Sequence, residues 1–151
     1  MTRFSVHIFI HQPVGVVCDA LMNPDNFPFW TTDLERFEVI NGEPGEVGAV
    51  GLLHYSQRGQ SYVMRDTLIA CEPGKRYISR VSGDAITALV ETTLNPKNNG
   101  TEMTITWSGK GEILLLKLLL PLLRGRMIRQ AEAELQTFKT LVETKGTRFS
   151  K

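Results

Sequence analysis

The stretch "EILLLKLLLPLLRGRMIR", Glu112 to Arg129, decides the architecture, because eight of its eighteen residues are leucine. Three roles compete for it: a membrane span, a core helix, or the wall of a cavity for an apolar molecule. A span needs roughly 20 predominantly apolar residues. Here the apolar run from Ile113 to Leu123 is 11 residues long and is broken by Lys117 and Pro121, so it does not cross a bilayer. Downstream, Leu116, Leu120, Leu123, Met127, Ala131, Leu135, Phe138 and Val142 recur at steps of three or four. That period predicts one helix from about Leu115 to Glu143, roughly 40 Å long. Pro121 cannot donate to the carbonyl of Lys117, so a kink is expected there.

Working backwards, the chain changes period. Thr101–Ser108, Ile86–Leu94, Lys75–Val81, Ser61–Cys71 and Val50–Gln57 read as strands separated by short turns. Asn99-Gly100 offers the positive φ angles of a tight hairpin, and Pro73-Gly74 fits the centre of a type II turn. Leu34–Ile40 is a further strand, followed by a loop over Asn41–Gly48. Asn23–Trp30, "NPDNFPFW", forms a short turn or helix, and Pro13 opens a short helix over Val14–Met22. Phe4–His11 is the first strand. The order is one strand, two short helices, six antiparallel strands and a long C-terminal helix. A curved seven-stranded sheet can grip that helix, and a cavity remains wherever the two do not touch.

The chain is read as a single α+β domain over residues 1–151, long enough to bury a full core. A formal net charge of +1 gives no global field toward nucleic acid. Cys18 and Cys71 match no metal or redox spacing and read as reduced core thiols. With no secretory leader pattern in "MTRFSVHIFIHQP", a cytoplasmic location is expected.

Several stretches, in this order, resemble the START-like (SRPBCC) superfamily, and within it the polyketide cyclase/dehydrase and lipid-transport type. "VHIFIHQPVGVV" resembles its first strand and proline-led helix, and "NPDNFPFW" its Asn/Asp-Pro stretch ending in tryptophan, here Trp30. "GEVGAV", "ACEPGKRY", "LNPKNNGTEMTITW" and "AELQTFKTLVE" resemble its later strands, turns and closing helix. The resemblance spans about residues 4–143. It implies the helix-grip fold and a deep, mostly apolar cavity between sheet and C-terminal helix, but no particular reaction. Cys18 departs from the family's frequent aromatic residue.

No metal or cofactor is expected. His7 and His11 share a strand face about 13 Å apart, too far for joint ligation. No serine lies in a GxSxG context and "GEPGEVG" lacks a phosphate loop's lysine. Acid–base chemistry stays open. If Leu68 faces inward, then Asp66, Met64 and Tyr62 do too. A buried Asp66 would have a raised pKa and could act with His54 on the neighbouring strand; alternatively Asp66 pairs with an arginine such as Arg80.

Parity nominates a cavity wall of Met103, Ile105 and Trp107 on the last strand, and Thr92 on the strand before. Tyr62, Met64, Trp30, Leu116, Leu120, Leu123 and Met127 complete it. The expected function is binding, or transport, of a hydrophobic small molecule such as a lipid or polyketide-like aromatic. The alternatives are a cyclase- or dehydratase-like enzyme using Asp66 or His54, and a dimerising interaction module without ligand. Leu115, Leu118, Leu119 and Leu122 lie off the sheet-facing stripe and need another cover: self-cover or a homodimer partner, or weak contact with a membrane surface through the adjacent Arg124, Arg126 and Arg129.

Overall fold

A computed structural model describes residues 1–150. Its elements follow the expected order: β1 (Thr2–Ile10), α1 (Val14–Leu21), a 3-10 turn (Pro24–Asn26), α2 (Phe27–Trp30), β2 (Leu34–Asn41), β3 (Val50–Gln57), β4 (Gln60–Glu72), β5 (Arg76–Ser82), β6 (Ile86–Lys97), β7 (Gly100–Gly111) and α3 (Leu114–Lys145). The strands form one antiparallel open sheet in the order β1-β7-β6-β5-β4-β3-β2. This is the α+β helix-grip architecture. β6 and β7, 12 residues each, run past their expected ends because their hairpin pairs out to Lys97 and Gly100.

The turns differ in one detail from the sequence reading. In the β6–β7 hairpin the positive φ angles fall on Asn98 (49°) and Asn99 (65°), not on Gly100. Two asparagines tolerate the left-handed region well enough to make the loop. Gly100 is kept for a different reason. A Cβ there would lie 2.4 Å from the Phe9 ring and 2.6 Å from the Ile10 carbonyl.

The long helix packs across β1 and β7. Its buried residues Leu135, Phe138 and Val142 cluster with Phe4, Val6, Ile10 and Met103 from the sheet, and Leu120 is buried nearer the helix start. Pro121 lies inside α3 without ending it. Lys139 Nζ donates to the Phe9 carbonyl at 2.8 Å and to Glu143, which also accepts from the His11 amide, tying helix to strand end.

Beyond α3 the chain turns back at Gly146 and buries Phe149 completely. Asn26 holds this tail. Its amide nitrogen donates to the carbonyls of Ala20 (3.0 Å) and Thr147 (2.9 Å), and its side-chain oxygen accepts from the Phe149 amide (2.9 Å). Cys18 and Cys71 are free thiols, and the Cys18 sulfur lies 2.8 Å from the Tyr77 hydroxyl.

Candidate functional site

Strand alternation and the ladder register fix what faces inward. Directly opposed pairs run across the sheet: Gly51 with Asp66, Leu53 with Met64, Tyr55 with Tyr62, Val90 with Trp107, Thr92 with Ile105, Leu94 with Met103. Tyr62, Met64, Asp66, Thr92, Met103, Ile105 and Trp107 therefore share one face, as their parity implied. His54 does not. It sits between Leu53 and Tyr55, points to the opposite face, and its Nε2 lies 2.8 Å from Glu38. The pairing of His54 with Asp66 is excluded by this register.

Most of the nominated wall is packing. Met103 is fully buried and Thr92 nearly so. Trp107 stacks on Phe4 at 5.6 Å and lies over Gly109, where a Cβ would come within 2.3 Å of its ring. Trp30 packs on Phe138 at 4.9 Å, leaving its buried indole N–H without a partner. Ile105 and Met127 pack against the core, and Leu116 lies against Gly111. Leu120 is buried beneath the helix, Leu123 is half-buried on α3, and Tyr62 stands at the rim, 45% exposed.

Space opens elsewhere. Because α3 lies over β1 and β7, the inward face of β2 to β5 is roofed by the short helices instead. A partly open cavity of about 80 Å3 lies there, lined by Met22, Phe27, Phe37, Val39, Gly51, Asp66, Leu68 and Ser79, among others. Of the nominated wall and acid–base residues, Asp66 reaches it and the others do not line it. The cavity lies under the short helices rather than against α3, where it was expected. Gly51 is essential to the shape, since a Cβ there would fall 2.0 Å from the Phe37 ring. The mouth is formed by Gly42, Pro44 and Gly45 of the β2–β3 loop, whose three glycines at 42, 45 and 48 all hold positive φ.

The polar groups of this half of the sheet are unusual for an apolar face. Burial pushes the Asp66 carboxyl up to about 6, with the Ser79 hydroxyl partly offsetting it. Among the described residues no cation forms an ion pair with it, and its expected partner Arg80 makes no ion pair and is exposed. Burial likewise raises the Tyr55 phenol, and nearby Tyr62, Glu134 and Asp66 raise it further. Tyr55 stacks on Tyr62 with ring centroids 4.9 Å apart. Glu134 reaches over from α3, raised by burial, and accepts from the Thr32 amide at 2.8 Å. Among the described residues no three His, Cys, Asp or Glu side chains converge as a metal site.

Residues 1–143 match the family described as Polyketide cyclase / dehydrase and lipid transport. The chain belongs to this family. A search of curated proteins finds no match. Among solved structures, the polyketide cyclase/dehydrase chain superposes on a Chromobacterium violaceum protein with a TM-score of 0.75 at 18% identity, covering 95% of this chain and 98% of that one. A START superfamily protein from Mycobacterium smegmatis gives 0.72 at 12% identity, covering 89% and 94%. A major latex-like protein from Panax ginseng gives 0.69 at 15% identity, covering 92% and 95%. At such identities the likeness establishes the helix-grip fold that these polyketide cyclase/dehydrase and START-like chains share, and the site must be argued from its own residues.

Those residues include several that sequence reasoning passed over. Phe37 is one: it meets Phe27 edge to face at 4.9 Å and closes one side of the cavity. Ser79 was hidden because β5 carries no clear alternation. Tyr55 was within reach, since it shares parity with Leu53. Glu134 sits one position before Leu135, off the apolar stripe, where three-to-four spacing gives no signal.

Proposed function

We propose that the protein binds, and can thereby carry, a hydrophobic small molecule that enters past Phe27, Phe37 and the β2–β3 loop and places a polar group at Asp66. The observation that carries this reading is an apolar cavity holding one carboxyl with no counter-charge. An isolated carboxylate in such surroundings is costly, and a hydroxyl or amine on the ligand would offset that cost. The family description points the same way. The enclosed volume is small: an engineered apolar cavity of ~150 Å3 takes up benzene. A larger ligand therefore displaces the glycine-rich loop on entry. The free thiols fit a cytoplasmic, reducing location, and among the described residues no helix is long and apolar enough to cross a membrane.

Native mass spectrometry of the purified protein, followed by solvent extraction, tests the reading. A stoichiometric apolar adduct is expected. A clean apo protein whose melting temperature no aromatic or acyl probe raises overturns it.

A second reading rests on Asp66 itself. A carboxyl raised to about 6 in a mostly apolar pocket is suited to general acid–base work on a bound polyketide-like substrate. His54 plays no part in it. Turnover with a pH dependence that vanishes in Asp66→Asn supports this reading; binding without turnover leaves the protein as a carrier.

A further inference from the structure

The first three turns of α3 carry what neither the core nor the cavity uses. Leu114, Leu115, Leu118 and Leu122 are 73%, 62%, 65% and 79% exposed, and Leu119 is 38% exposed. At 3.6 residues per turn they lie on one face, opposite the buried stripe through Leu120 and Leu123. Arg126 and Arg129 continue that face one to two turns later. From Ile113 to Ala131 the chain has four cations, Lys117, Arg124, Arg126 and Arg129, and no acid. Among the described residues none of the four makes an ion pair.

A second observation lies beside the leucines. A cavity of about 300 Å3 opens where β7 runs into α3, lined by Lys110, Lys117, Gly111, Leu120 and Pro121. Gly111 makes the junction tight: a Cβ there would meet the backbone of Leu116 at 2.6 Å. Two lysines thus flank a recess at the edge of an apolar tip.

We propose that this end of α3 docks the protein on an anionic lipid surface, the leucines entering the acyl boundary and a headgroup phosphate seating between Lys110 and Lys117. An apolar helix face bordered by cations binds an interface through buried area and attraction to anionic lipid together. Charge decides between this occupant and a second copy of the chain. Between Glu112 and Glu132 the helix has four cations and no carboxylate, so a second copy brings like charge to this tip, whereas an anionic surface brings the opposite charge.

The test is co-sedimentation with vesicles. The full chain pellets with phosphatidylcholine vesicles containing phosphatidylglycerol at low salt, pellets far less at high salt, and stays in solution with phosphatidylcholine alone. Leu118→Glu/Leu122→Glu, at exposed positions, keeps the wild-type melting temperature and loses vesicle binding. Lys110→Ala/Lys117→Ala weakens partitioning to the anionic vesicles by roughly fivefold per lysine, which gives a second readout should the leucine variant misfold. A wild-type protein that stays in the supernatant with anionic vesicles overturns the proposal. So does a dimer in light scattering that Leu118→Glu/Leu122→Glu converts to a monomer.

Discussion

Asn26 is a fully buried polar side chain that satisfies two carbonyls and one amide from two separate segments, α1 and the C-terminal tail. Truncation would leave those groups unpaired and loosen the seat of Phe149. Asn26→Ala is expected to destabilise the fold by about 3 kcal/mol, read from urea denaturation. Asp66 makes the opposite kind of prediction. Its folded-state pKa, about 6, lies above the ordinary aspartate value of 3.8. Below the lower value both states are protonated and nothing is lost. As pH rises through that window the folded state must give up a proton it holds more tightly, so stability falls and stays lower above it. Asp66→Asn removes the penalty: it raises stability by about 2–3 kcal/mol at pH 7 and changes little at pH 4, as paired thermal melts will show. Parity reasoning placed Asp66 inward because "SYVMRDTL" alternates once Leu68 is fixed. It misjudged His54 because "GLLHYS" has adjacent leucines and no alternation to read, and only the ladder to β4 decides which side each residue takes.

At the scale of elements, α3 shows why periodicity locates a helix better than it locates a cavity. Three-to-four spacing from Leu116 to Val142 gave the stripe, and that stripe is the face that meets β1 and β7. Spacing cannot say how far a helix stands off the strands beyond its own contact. That distance is set by bulk at the crossing, where Trp107, Phe4 and Met103 fill the gap and leave the open volume under α2 and the β2–β3 loop. The crossing also explains Gly111. Here the first turn of α3 touches the end of β7, and a methyl group would overlap the Leu116 backbone. Gly111→Ala is expected to cost about 2 kcal/mol through overpacking, measured by chemical denaturation. The same substitution at Gly15, where a Cβ meets nothing within 4 Å, serves as the matched control.

For the whole molecule, the number, order and hand-off of strands were legible because each turn carries its own chemistry in glycine, proline or asparagine. Which strands become neighbours was not written locally. The sheet opens with β1 against β7, a register that places Phe4 opposite Trp107. A ribosome adding about 5–20 residues per second therefore releases the first strand several seconds, roughly 5 to 20, before its partner exists. During that wait Phe4, Val6, Ile8 and Ile10 have neither ladder nor helix to cover them. The nascent chain therefore carries an apolar edge while every strand from β2 to β7 is made, and whatever shields that edge until β7 emerges bears on its yield in the cell.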